Sequence, residues 1–370
     1  MASSLPLWFP DHPPIYDIQK SYMDNAEEGP FFDGAYPERT LPPKEKWVDF
    51  LGHKIMSPLG VPAGPLLNSK YIALASKLGF DVLTYKTIRS AAHETHSVPN
   101  MIYIDVNGQL PRNESTLHQT NKQPHDMEHL AVTNSFGMGC YDPKYLLKDI
   151  AKAKASLIDG QVLNVSVVGT QRPGEDFIKD FVKTALLAKE AGADIITVNF
   201  SCPNVGKHTE GSIYMDPKTS GDIATRIVKT IGDVPLVVKL GYMEDRARLT
   251  DVLTSIARAG ARGVCGINTI GRKVTNASGA PALGVGRETS GICGGPIRSY
   301  GLEFVKNARD IIVTEALGLT LLGVGGVVKP EHFDEYLSAG ADIAMSATGM
   351  MWNPYLAMRW HEMHNVIIYD

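Results

Sequence analysis

The densest run of reactive residue types in the chain is Thr197-Val198-Asn199-Phe200-Ser201-Cys202-Pro203-Asn204-Val205-Gly206-Lys207. A thiol in such a polar run is a candidate proton acceptor, because the thiolate is the basic form of cysteine. Taken alone, a buried cysteine is equally at home as inert packing. Asn134, Asn199, Asn204 and Asn268 each offer one carbonyl acceptor and one amide donor pair, which suits the edge of a planar, amide-rich ring. Any one of them reads as well as a loop cap. Lys86 and Lys239 stand inside apolar runs, where an unpaired lysine is rare, so a bound anion fits them better than a surface ion pair. Gly323-Val324-Gly325-Gly326 and Ala347-Thr348 supply backbone N–H groups of the kind that cradle phosphate.

Short apolar, β-branched runs carry these residues at their ends. The runs at Ser57–Gly64, Val82–Ile88, Val162–Gly169, Ile195–Ser201, Pro235–Gly241, Gly263–Ile270, Leu319–Gly326 and Ile343–Gly349 predict strands buried on both faces. Helical patterns lie between them at Asn68–Leu78, Pro143–Leu157, Glu175–Ala191, Ser220–Ile231, Asp245–Ala259, Tyr300–Leu317, Pro330–Ala339 and Pro354–Val366. Strict alternation of this kind predicts an α/β fold, a (β/α)8 TIM barrel. A weak repeat supports it. Leu78-Gly79-Phe80-Asp81, Ala191-Gly192-Ala193-Asp194, Ala259-Gly260-Ala261-Arg262 and Ala339-Gly340-Ala341-Asp342 each end a helix on a glycine and lead into a strand. A doubly wound open sheet is the rival, weakened because no GxGxxG follows the first strand.

Residues 1–54 are rich in proline and aromatics, which predicts an ordered arm packed on a barrel domain of residues 55–370. Two insertions follow strand ends and so lie over the C-terminal mouth. Residues 89–140 predict a hairpin about Asn107-Gly108, and residues 271–299 a long Gly/Ser/Thr-rich loop.

A net charge of −4 excludes a sequence-independent nucleic-acid binder, which needs a basic excess. Four cysteines without a CxxC pair give neither a disulfide framework nor a cluster or structural zinc site, and no metal is expected. No apolar run is long enough for a membrane span, and the start MASSLPLWFPDHPP is no leader peptide, so a cytoplasmic protein is expected.

Asn199–Lys207 resembles the signature of the dihydroorotate dehydrogenases, specifically the soluble class with a cysteine base; the membrane-associated class carries serine where Cys202 stands. The resemblance runs from Leu59 to Met351 with its motifs in order. It implies FMN-dependent oxidation of dihydroorotate to orotate in pyrimidine biosynthesis, with Cys202 as base and a hydride passed to the flavin. It places Pro62-Ala63-Gly64 beside the isoalloxazine ring, Lys86 against flavin and substrate, and Lys239 near the flavin N1–C2=O edge. Positive charge at Lys239 would favour a reduced ring that is anionic near N1. Asn134-Ser135-Phe136-Gly137-Met138 resembles an Asn–Ser–Met–Gly–Leu substrate loop, and Asn268-Thr269 an Asn–Ser pair that holds the pyrimidine. The implied substrate set is Lys86, Asn134, Gly137, Met138, Asn199, Asn204, Asn268 and Thr269. The implied cofactor set is Ala63, Gly64, Lys86, Thr87, Ser166, Asn199, Lys239, Gly294, Gly295, Gly325, Gly326, Ala347 and Thr348. A homodimer is expected, with a separate electron-transfer subunit wherever NAD is the acceptor.

Ala347 replaces a glycine of the last phosphate turn, and Thr269 a serine. Ser278–Gly286 also resembles the flavin domain of dihydropyrimidine dehydrogenase, so a dihydropyrimidine (uracil-type) oxidoreductase is the alternative. A tRNA-dihydrouridine synthase-like enzyme shares a related Asn–x–x–Cys–Pro turn, but the acidic charge counts against it. Arg272 and Lys273 read equally as contacts to a substrate carboxylate or as solvated charge.

Overall fold

A computed structural model describes residues 6–9, 12–201 and 212–364. Eight strands, β1 (Leu59–Val61), β2 (Val82–Ile88), β3 (Val162–Val167), β4 (Ile195–Asn199), β5 (Leu236–Leu240), β6 (Gly263–Gly266), β7 (Thr320–Val324) and β8 (Ile343–Met345), form a closed barrel in chain order. Every neighbouring pair is parallel, and β8 lies against β1. All strand residues are buried except Thr320 at the start of β7, as a sheet covered on both faces requires. The fold is the (β/α)8 TIM barrel that the alternation predicts. A separate core of Val82, Val162, Ile195, Val237, Cys265, Leu322, Ile343 and Met345 draws on successive strands, and Phe50 and Ile55 of the hairpin Val48–Phe50/His53–Ile55 close it.

The repeat has a physical basis. Gly79, Gly192, Gly260 and Gly340 take φ of 90°, 99°, 93° and 109°, the left-handed turn that ends each helix. An aspartate follows two residues after Gly79, Gly192 and Gly340, and after the last two it ties the next strand to its neighbour. Asp194 accepts from the Leu163 N–H at 2.8 Å, and Asp342 from the Leu321 N–H at 2.7 Å. Asp81 instead takes a two-pronged ion pair from Arg39 at 2.7 and 2.8 Å, which fastens residue 39 to the same end of the barrel.

The strands stop short of their apolar runs. Pro62–Gly64, Phe200–Ser201 and Gly325–Gly326 leave the ladder and turn over the mouth. One helix begins at Pro217 rather than Ser220, because Asp216 caps it and proline fits its first turn. Another begins at Arg298 rather than Tyr300. A short helix, Thr348–Trp352, follows β8 before the last described helix, Leu356–His364.

Both insertions differ from expectation. Met101–Asp105, Thr116–Gln119, Ala131–Asn134, Ile270–Thr275 and Thr289–Gly294 close into one five-stranded sheet. Asn107-Gly108 is not a two-residue hairpin turn. Met101–Asp105 pairs with Thr116–Gln119 through a longer connection, because Leu110 is drawn into the core and its N–H donates to the Pro296 carbonyl at 2.9 Å. Residues 271–299 are not a loop throughout: Ile270–Thr275 pairs antiparallel with Thr289–Gly294, burying Ile270, Val274 and Ile292.

In the arm, Ser21 and Asp24 form a capping box for the helix Tyr22–Glu28, and Ile15, Tyr16, Tyr22 and Ala26 are buried. The Phe9 N–H donates to the Trp352 carbonyl at 2.9 Å. Among the described residues no helix is long and apolar enough to cross a membrane.

His361 gives the fold a pH dependence. It is buried, with Nε2 2.8 Å from the Gly79 carbonyl. Burial first, and the Arg39 charge second, push its pKa down to about 4. An unfolded imidazole charges near pH ~6.5, so the unfolded chain takes up a proton that the folded chain refuses. The stability this contributes is complete above pH ~6.5 and is lost as pH falls toward ~4. Urea midpoints between about pH 7 and pH 5 should fall, and His361→Gln should remove roughly 2 kcal/mol of that fall at pH 5. A variant with the wild-type slope would show that another group titrates.

Candidate active site

The C-terminal strand ends surround a cleft of about 1190 Å³, counting its part open to solvent. β1 runs out into Ala63 and Gly64, β2 presents Lys86 and Thr87, β4 Asn199 and β5 Lys239. The turn after β6 adds Asn268 and Thr269, that after β7 Gly325 and Gly326, and that after β8 Ala347 and Thr348. The inserted sheet roofs the cleft with Met101, Asn134, Phe136, Gly137, Met138, Cys293 and Gly294. Residues far apart in sequence thus meet because parallel strands deliver their C-terminal ends to one rim.

Most residues singled out from the sequence line this cleft, but some do not. Ser166 does not line it; it is fully buried, with Oγ 2.9 Å from Oγ1 of Thr87, which does. Gly295 is packed against Glu128; a side chain there would strike the Glu128 carbonyl at 2.0 Å. Arg272 donates to the Pro111 carbonyl at 3.1 Å and the Tyr300 hydroxyl at 3.4 Å, and neither it nor Lys273 lines the cleft. Cys202 and Asn204 lie outside the described residues.

The polar groups are held in place. Asn199 Oδ1 accepts from the Ser201 N–H at 3.1 Å. Asn268 Nδ2 donates to the Ser201 carbonyl, and Asn268 Oδ1 accepts from the Thr269 N–H at 3.0 Å. Asn134 Nδ2 points at Cys293 Sγ, 3.7 Å away. Lys239 is only 4% exposed; its Nζ donates to the Ala63 carbonyl at 3.5 Å, across the barrel from β5 to the turn after β1. Lys86 is also buried, its backbone N–H donating to the Leu66 carbonyl at 2.9 Å. Both lysines line the cleft and are largely withdrawn from water, so their charge is worth more than in solution. Burial pushes the thiols of Cys265 and Cys293 up to about 11, so both stay protonated at neutral pH.

The cleft has room for a flat ring and a terminal phosphate. A Cβ added at Gly64 would meet no atom within 4 Å, so the chain leaves open space beside the Ala63–Gly64 backbone. Gly325 and Gly326 take φ of 134° and 67°, backbone that favours glycine, and line the cleft. Ala347 takes φ −104°, not the left-handed backbone that calls for glycine. Outside the cleft, His125, Asp126 and His129 bring possible metal-ligand atoms within 4.8 Å of one another, with His129 Nδ1 2.7 Å from Asp126 Oδ1.

Sequence reasoning missed the apolar lining: Tyr16, Leu67, Met101, Ile297 and Met351. Phe136 was visible inside its motif but not as a wall. Tyr16 gave only the general signal of an aromatic that seeks burial.

A family model described as dihydroorotate dehydrogenase matches residues 115–362. The chain is 48% identical over 363 residues to a dihydroorotate dehydrogenase of Dictyostelium discoideum, covering 95% of this chain and 98% of that protein. It is 31% identical over 182 residues to the catalytic subunit of the NAD(+) dihydroorotate dehydrogenase B of Bacillus pumilus, covering 48% of this chain and 55% of that one. It is also 28% identical over 200 residues to the PreA subunit of the NAD-dependent dihydropyrimidine dehydrogenase of Escherichia coli, covering 53% and 46%.

Proposed function

This chain belongs to the dihydroorotate dehydrogenase family and is an oxidoreductase acting on CH–CH bonds; from that premise we propose that it oxidises dihydroorotate to orotate in the cytoplasm, with FMN as its cofactor and Cys202 as its base. The observation that carries this reading is the convergence of Lys86, Lys239, Asn134, Asn199 and Asn268 with two phosphate-type turns in one cleft. The arm, residues 1–54, packs on an FMN-binding barrel of residues 55–370 in this proposal.

FMN would rest its ring along Ala63–Gly64, with Lys86, Thr87 and Asn199 at its edges and Lys239 by its N1 side. Its phosphate would lie on the backbone of Gly325, Gly326, Ala347 and Thr348, near Gly294. When bound, FMN supplies the acceptor for a hydride. The chain's own groups do the remainder. Asn134, Asn199, Asn204 and Asn268 pair with the donors and acceptors of the pyrimidine edge and fix its plane. The Gly137-Met138 backbone and Thr269 close around it. Cys202 takes the proton from substrate C5 as the hydride leaves C6, so the ring loses one proton and one hydride and gains the double bond of orotate. The roof excludes water from both transfers.

In this proposal the turns after β7 and β8 form one monophosphate site, and the described residues contain no Rossmann unit for an adenylate. Mass spectrometry of the cofactor released from purified protein should therefore give FMN; FAD, or no flavin, would overturn the cofactor. Anaerobic addition of dihydroorotate should bleach the bound flavin. Bleaching by dihydrouracil but not by dihydroorotate would give the uncharged ring as substrate instead.

A further inference from the structure

We propose that the N-terminal arm is part of the substrate-binding apparatus: Tyr16 and Tyr22 grip Phe136 and hold the loop Asn134–Met138 in its cleft-lining form. This rests on the dihydroorotate reading for the identity of the substrate, but not for the grip itself.

The loop has reason to need holding. Gly137 and Met138 both take left-handed backbone, φ 74° and 49°, and for methionine that conformation is unfavourable. Phe136 is the loop's large side chain and is only half-buried. The Tyr16 ring meets it edge-on, with centroids 5.6 Å apart and planes at 63°. The Tyr22 ring approaches at 5.8 Å and 53°. Both are geometries that aromatic rings favour. Tyr16 and Phe136 line the cleft together, so the contact lies at the ligand's edge.

One buried residue joins the two segments. Asn100 Oδ1 accepts from the Tyr16 hydroxyl at 3.2 Å, its Nδ2 donates to the Lys20 carbonyl at 3.3 Å, and its own carbonyl accepts the Ser135 N–H at 2.8 Å. The arm is itself rigid. Asn25 Oδ1 accepts the Asp17 N–H at 2.7 Å, while its Nδ2 donates to the Asp17 and Ser21 carbonyls, each at 2.9 Å. The Tyr71 hydroxyl, from the helix Ser69–Lys77, donates to the Asn25 carbonyl at 2.7 Å. The grip thus runs from a barrel helix through the arm to the loop.

A loop ordered in advance costs nothing further when substrate binds. Releasing the grip weakens ground state and transition state alike, so KM rises while kcat holds. Tyr16→Ala should raise KM for dihydroorotate roughly 2- to 13-fold with kcat within about twofold, the scale of a lost aromatic pair. Tyr16→Phe keeps the ring and should recover most of the loss. Phe136→Leu keeps the arm intact but removes both ring contacts, so it should raise KM at least as much, and Tyr16→Ala/Phe136→Leu should be little worse than Phe136→Leu alone, since the Tyr16 contact is already lost there. Hydrogen exchange over residues 130–140 of the ligand-free protein should quicken in both single variants. Unchanged exchange, multiplying effects in the double variant, or a loss confined to kcat and flavin content would overturn the proposal. A wild type that ignores dihydroorotate would sink the functional reading instead, while the exchange measurement still decides the grip.

Discussion

Cys202→Ala should remain yellow with bound FMN, yet be bleached by dihydroorotate at least roughly 10²-fold more slowly, the usual scale for a lost general base. Cys202 lies outside the described residues, but the residue before it is fixed. Ser201 is buried, its N–H on Asn199 and its carbonyl on Asn268, two residues of the cleft. The other cysteines are poor candidates, since burial raises the pKa of Cys140 and holds Cys265 and Cys293 at about 11. A thiol with the ordinary cysteine pKa of ~8.5 is mostly protonated at neutral pH, so the rate should climb through that value. Cys202→Ser should keep part of the activity with its profile moved to higher pH, because serine is the weaker acid. Stopped-flow reduction from about pH 6 to pH 10 follows both variants. Unchanged reduction in Cys202→Ala would make Cys202 a packing residue and leave the reaction without its base.

Lys239→Ala should lose roughly 10²-fold in flavin bleaching, together with part of its bound FMN. The side chain is nearly sealed from water and spans from β5 to the Ala63 carbonyl. Its charge is felt nearby, where it partly opposes the burial that raises the Cys265 thiol. A fixed cation in so dry a place favours negative charge on a ring beside it. Lys239→Met, which keeps the apolar stem, separates charge from packing. Normal flavin content and turnover in both variants would remove Lys239 from the reaction.

The barrel was legible because strands buried on both faces leave long apolar runs, and because the glycine of the repeat has the same task at each turn, the left-handed end of a helix. Val82–Ile88 is a strand over its whole expected length. The other runs overshoot, since Pro62–Gly64 and Phe200–Ser201 are apolar enough to read as strand while serving as rim. The Asn107-Gly108 pair carries the composition of a tight turn, but Leu110 gains more by burial than the turn would. Around Gly271 and Gly291 the alternation is diluted by glycines, and the hairpin was hidden. That an arm tyrosine reaches the cleft is a fact about distant parts of the chain, and local pattern does not encode it. Lys86, Lys239, Asn199 and Asn268 stood out for the opposite reason: each is a polar residue at the end of, or inside, an apolar run, whereas Asn134 was marked by its motif.

The barrel closes by pairing β8 with β1, joining Ala344 to Leu59, and the arm is fastened to Trp352 through Phe9. Contacts between such distant positions carry a high closure entropy and form late. On the ribosome, β1 is made long before β8 can pair with it, so the barrel stays open until nearly the whole of it has been translated. Tyr16 and Tyr22 meet Asn100 and Phe136 much sooner, whereas the Phe9 N–H must wait for Trp352. The apolar edge of β1 is therefore the natural target for chaperone capture during synthesis, and a stop codon before Ile343 would leave it unpaired for good.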